Sequence, residues 1–121
     1  MYATQIKDLE GSVIPDPKGY KLLVAIPSIE ERTAGGIIRP DQLRKLEEVA
    51  SIFGYVVAMG ADAYKDRKKF PNGAWCKVGD WVIFRSYSGT RLKVEDQEFR
   101  LINDDTVEAV VDSPAKIERA W

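Results

Sequence analysis

The sequence predicts an all-β fold, an irregular small β-barrel, and three observations carry that expectation. Its apolar runs are short and rich in β-branched and aliphatic residues. Glycines and prolines separate the runs at regular spacing, the pattern of a small barrel. The length of 121 residues, 45% hydrophobic and 31% charged, suits one soluble domain with a modest core.

Each element has its own signal. Residues 1–14 show weak periodicity and read as an N-terminal extension before the barrel domain at 15–112. "YKLLVAI", Tyr20 to Ile26, is a strand that Pro27 ends. "FGYVVAMG", Phe53 to Gly60, is a second, in which Gly54 marks either a bulge or a close backbone approach. "GDWVIFRSY", Gly79 to Tyr87, is a third. "TRLKVEDQEFRLI" reads as a hairpin turning near Glu95 to Gln97, with Leu92, Val94, Phe99 and Leu101 alternating. "TVEAVVD", Thr106 to Asp112, is the last strand, and 113–121 form a tail.

Two connections interrupt this regularity. The first, about 28–51, is long for a compact domain, and such loops are usually functional. It contains "TAGGIIRPDQ", where Gly35 and Gly36 free the backbone just before Ile37 and Ile38. Sticky aliphatic residues on a projecting segment need an explanation. Its second half, "DQLRKLEEVASIF", has helical spacing with Asp41 as an N-cap. That half reads either as a helix packed on the barrel or as one that orders on binding. The second connection, about 61–75, carries the turn signal "PNG" and the basic residues Lys65, Arg67, Lys68 and Lys69. It reads as a solvated hairpin.

Composition closes several routes to catalysis. There are no histidines, so Ser-His-Asp and Cys-His chemistry and His-based metal sites are excluded. The one cysteine, Cys76, cannot build a zinc or iron–sulfur site and suits a reducing compartment. No phosphate-cradling glycine motif occurs. The expectation is a non-enzyme without metal or cofactor. No signal or transit peptide is visible, and the apolar run Leu22 to Ile26 is too short to span a bilayer. The expected location is cytoplasmic, without a membrane partner. A net charge of −1 argues against a nucleic-acid partner. The alternative reading is an OB-type barrel binding single strands through Tyr64, Trp75, Trp81, Arg85 and Tyr87.

From about Pro15 to Asp112 the chain resembles the GroES-type co-chaperonins. "AGGIIRPDQ" is similar to that family's mobile-loop motif of two glycines, an aliphatic tripeptide and often Pro-Asp. "GYVVAMG" resembles the strand after the loop, and "CKVGDWVIF" resembles the family's Val-Gly-Asp stretch. "YSGTRLKVEDQEFRLINDDTVEAVV" resembles its C-terminal half without gaps. Four pieces in order, around a long loop in the right place, make the resemblance specific.

The resemblance implies a lid for a nucleotide-bound GroEL-type chaperonin ring, enclosing an unfolded client. Gly35, Gly36, Ile37, Ile38 and Arg39 would form the chaperonin-binding loop. The connection at 61–75 would be a roof hairpin. The chain would be a homo-oligomer, a heptamer, with Leu22, Leu23 and Val24 of one subunit against Val107, Ala109 and Val111 of the next. Three departures stand out. Arg39 takes a position usually aliphatic, which would weaken docking or pair with an acidic group. The segment from Gln42 to Ile52 and both termini exceed the usual length. Together they suggest a divergent member, on this reading phage-encoded.

Overall fold

The structure, a computed structural model, describes residues 4–5, 14–29 and 52–113. Eight strands occur among them: β1 (Thr4–Gln5), β2 (Lys21–Ala25), β3 (Ser28–Ile29), β4 (Phe53–Met59), β5 (Trp81–Phe84), β6 (Thr90–Val94), β7 (Gln97–Asn103) and β8 (Val107–Val111). Six form one antiparallel sheet in the order β6-β7-β2-β4-β5-β8, while β1 and β3 pair separately. This is the small all-β barrel architecture expected. Every expected barrel strand is present: β2, β4, β5 and β8 are shorter than expected, and β7 runs one residue past Ile102, to Asn103.

β2 lies in the middle, with β4 on one edge and β7 on the other. Its residues Leu22 to Ala25 are all fully buried. That is why its sequence is a continuous apolar run rather than an alternating one. Leu22 and Val24 face a main cluster with Val56, Val82, Phe84, Ile102 and Val107. Leu23 and Ala25 face a second cluster with Phe99, against which Leu92, Val94 and Leu101 pack. Burial of each such side chain contributes about 1.5–3 kcal/mol, so β2 is the strand whose loss the fold tolerates least.

The alternation Leu92, Val94, Phe99, Leu101 therefore belongs to the second cluster. The opposite face of β7 supplies Ile102 to the main one. Between β2 and β4 the register shifts at Leu23/Val24, pairing Leu23 with Ala58 and Val24 with Val56. Val57 is the extra residue of this bulge. It puts Val57 and Ala58 consecutively on the second face and returns Met59 to the main cluster. Gly54 is not the bulge. A Cβ there would stand 3.1 Å from Val24 Cβ, so the close backbone approach explains it. Across β4 and β5, Phe53 stacks on Trp81 with centroids 5.0 Å apart.

Residues 61–80 differ from the expected hairpin: they fold as successive turns with no strand ladder. Side chains hold this excursion instead of ladder hydrogen bonds. Ala63, Tyr64, Phe70 and Cys76 sink into the main cluster. Phe70 meets Tyr64 and Trp75 edge-on, at 4.8 and 4.9 Å between centroids. Asp66 accepts the Lys68 N–H at 3.0 Å, and Gly73 closes the Pro71–Asn72 turn by donating to the Phe70 carbonyl at 3.1 Å.

Candidate functional site

The candidate site is the place where the chain leaves the barrel after β2 and returns to it before β4. On the outgoing side, the Ile26 N–H donates to the Glu98 carbonyl at 2.9 Å. The buried Gln97 side chain donates from Nε2 to the Ile26 carbonyl at 2.8 Å. On the returning side, the Phe84 N–H donates to the Ile52 carbonyl at 2.9 Å. Since Ala25 and Tyr55 are paired across β2 and β4, both roots lie side by side on adjacent strands. The outgoing root continues into β3, where Ser28 and Ile29 pair with Gln5 and Thr4.

Beneath the roots sits Arg100, 1% exposed, with its guanidinium 5.2 Å from the Phe84 ring centroid. Burial, with Arg91 adding to it, holds this guanidinium below the usual arginine pKa. Arg100 and Gln97 escaped the sequence reading because both look like exposed strand residues. Gln97 shares the period-2 phase of Phe99 and Leu101, and that phase was the available signal.

Gly35, Gly36, Ile37, Ile38 and Arg39 lie outside the described residues, as does the helical pattern from Asp41. The interface residues are described. β2 is hydrogen-bonded on both edges within the chain, and Leu22, Leu23 and Val24 are 0% exposed. They are filled by the chain's own core and leave no edge for a neighbour. The apolar run that suggested an uncovered edge is apolar because both of its faces are internal. β8 pairs only with β5 among the described residues. Along it Val107 is buried, Val111 half-buried, and Ala109 and Val110 exposed.

The excursion is tied down by polar contacts as well. The Tyr64 hydroxyl and Cys76 thiol share a hydrogen bond at 3.3 Å. Burial, reinforced by that bond, pushes the Tyr64 hydroxyl above its usual pKa, and burial raises the Cys76 thiol too. An open groove of about 380 Å³ runs alongside, lined by residues including Tyr20, Lys65, Lys69 and Phe70.

The aromatics do not assemble into a stacking platform for bases. Trp81 stacks on Phe53 and Tyr64 is buried, which leaves Trp75 and Tyr87 exposed on separate turns. Among the described residues no group of three or more Cys, Asp or Glu is placed to hold a metal ion, and no helix is long and apolar enough to cross a membrane.

The family model of the chaperonin 10 kDa subunit matches residues 16–111. The chain is 39% identical over 103 residues to the co-chaperonin GroES of Fervidobacterium nodosum, covering 84% of this chain and 94% of that protein. It is 37% identical over 102 residues to the co-chaperonin GroES of Thermotoga neapolitana, with the same coverage. It is 34% identical over 95 residues to that of Bacillus sp. strain PS3, covering 78% of this chain and 96% of that protein. With a match spanning the whole six-stranded sheet, and with the barrel that the match requires, the chain belongs to the chaperonin 10 kDa subunit family, that of the GroES-type co-chaperonins.

Proposed function

We propose that this co-chaperonin works in the cytoplasm as a ring-shaped lid. It docks on a nucleotide-bound GroEL-type chaperonin through Gly35, Gly36, Ile37, Ile38 and Arg39, and closes the chamber around an unfolded client. The ring is heptameric on this reading. The observation that carries the proposal is the pair of adjacent roots on β2 and β4, each hydrogen-bonded to the barrel. A long segment that leaves and returns at one place can be presented to a partner while the barrel behind it stays rigid.

The energetics favour many weak contacts over one strong contact. Burying an isoleucine contributes roughly 1.5–3 kcal/mol. Ordering a segment costs about 1 kcal/mol or more per residue fixed. One segment therefore holds weakly, and several on one ring hold by avidity yet release when the partner's groove closes. Arg39 buries only its methylene stem in an apolar groove and keeps its guanidinium in water. Its departure from the aliphatic pattern tunes each contact weaker.

The test combines native mass with binding. The wild type forms a closed ring whose mass is a multiple of the 13.6 kDa chain. Replacing both Ile37 and Ile38 by serine leaves that ring and its thermal unfolding unchanged but abolishes capture by a nucleotide-loaded chaperonin. Undiminished capture by the folded double variant would place the contact elsewhere.

A further inference from the structure

We propose that strand β1 is a clamp on the root of the docking segment, pairing Thr4–Gln5 with Ser28–Ile29 to set how tightly that segment docks. The inference rests on the docking reading above and adds a determinant to it. The family match begins at residue 16, so β1 lies outside the part shared with the family. It forms its only ladder among the described residues with β3, in a two-stranded sheet apart from the barrel sheet. The register is antiparallel, Thr4 opposite Ile29 and Gln5 opposite Ser28. β3 in turn sits just after Pro27, where the outgoing root leaves β7 and the Gln97 side chain.

The placement has a physical consequence. Without β1, residues after Pro27 would have no ladder partner, and docking would have to fix them. With β1, the backbone of Ser28 and Ile29 is already held in the free protein. Ordering that is complete before binding is not lost on binding. Pairing also gives the first residues of the segment a direction, because a strand ladder allows one antiparallel course. A two-residue ladder is a weak clamp, and weakness suits the role. It biases the exit without welding it. The effect per subunit is about fivefold, the value of one net backbone hydrogen bond or one ordered residue, and it repeats in every subunit of the ring.

The experiment compares the full chain with a variant lacking residues 1–10, and with Thr4→Pro/Gln5→Pro, which keeps the length but removes the ladder donors. Dissociation from a nucleotide-loaded chaperonin is the first readout. Amide hydrogen exchange at Ser28 and Ile29 in the free protein is the second. The expected result is at least tenfold faster dissociation and faster exchange at whichever of the two N–H groups faces β1, in both variants, with unchanged thermal unfolding of the barrel. A third variant, Thr4→Cys/Ile29→Cys, locks the paired positions by a disulfide across the ladder, and the oxidised form dissociates no faster than the wild type. Equal dissociation of full chain and variants overturns the clamp while leaving the docking reading intact. Tighter docking by the shortened chain, or loss of docking in the locked form, overturns it too, by making β1 a competitor. Failure of the full chain itself to bind any chaperonin sinks the docking reading first and the clamp with it.

Discussion

Asp104 accepts the backbone N–H of Tyr64 at 3.0 Å across 40 positions of sequence, and both residues are buried. The Asp104 backbone N–H donates in turn to the Tyr20 carbonyl at 3.1 Å. One residue thus joins the lead-in to β2, the excursion and the β7–β8 connection. Tyr64 has φ of 60°, a left-handed backbone that a tyrosine adopts at a cost. The carboxylate holds that conformation in place.

Asp104→Ala should therefore leave a buried N–H without an acceptor and cost about 1–3 kcal/mol. Asp104→Asn keeps a side-chain oxygen and should cost less. Urea midpoints of the three proteins test the order. Equal midpoints for wild type and Asp104→Ala would remove the excursion's main polar tether from this account.

A second tether answers to pH. The hydrogen bond from Lys69 holds the Asp105 carboxyl below its usual pKa, outweighing the opposite effect of burial. A carboxylate with a lowered folded pKa stabilises the fold above its unfolded pKa, and that stabilisation is lost as pH falls through the folded value. Lys69→Met should therefore be less stable than the wild type at pH 7, with the gap starting to narrow below the ordinary carboxylate value of about 3.9 and closing as pH falls through the lowered folded value. Both side chains are partly exposed, so added salt should shrink the gap at pH 7 as well. Unfolding midpoints at pH 7 and pH 3, at low and high salt, decide it. A gap of the same size at pH 3 as at pH 7, and insensitive to salt, would mean that Lys69 acts by packing on Phe70 and not by charge.

Local signals made most of the barrel legible. The run Leu22 to Ile26, the alternation around Phe99 and the turn near Glu95 each announce an element within a few residues. What stayed hidden depends on distant partners. Thr4–Gln5 is a strand only because Ser28–Ile29 lies beside it, and two residues carry no periodicity. Residues 61–75 looked like a hairpin because "PNG" is a turn signal. Tyr64, Phe70 and Cys76 instead pin the segment to the core one by one. The candidate site divides in the same way. The glycines and isoleucines of the proposed docking segment are a local motif, whereas Gln97 and Arg100, near the roots on β2 and β4, are polar residues that only the fold makes internal. Assigning Leu22 to Val24 to a subunit boundary failed to separate an apolar edge from an apolar centre, which look identical in one strand's sequence.

The β6–β7 hairpin offers a stabilising change. Its two-residue loop, Glu95 and Asp96, has φ of 49° and 68°, both left-handed. Such loops favour Asn-Gly, because glycine takes this backbone without strain and asparagine tolerates it. Glu95→Asn/Asp96→Gly should stabilise the fold by about 1 kcal/mol, after glycine's extra unfolded-state entropy offsets part of the relief. The thermal midpoint should rise by roughly 4 °C. A lower midpoint would show that the two side chains contribute more than the strain costs.

The last prediction concerns which edge of the sheet assembles. The sheet ends in β6 on one side and β8 on the other, and the two edges differ in chemistry. β6 exposes Thr90, Arg91 and Lys93, and Arg91 is bonded back to Glu98 at 3.2 Å. Exposed charge on an edge strand discourages pairing with another chain. β8 exposes a single charge, Glu108, beside the apolar Ala109 and Val110, the latter by 44%. An edge with apolar side chains and open backbone groups is a template for a further strand. On the ring reading, β8 is therefore the assembling edge, and its partner is a segment other than β2, whose edges are both taken. Val110→Lys places a charge on an exposed position, so the single subunit should fold as before. The native mass should fall from the ring toward 13.6 kDa. Thr90→Lys, the same kind of charge on β6, should leave the ring whole. An intact ring in the first variant, or dissociation in the second, would move the subunit boundary away from β8.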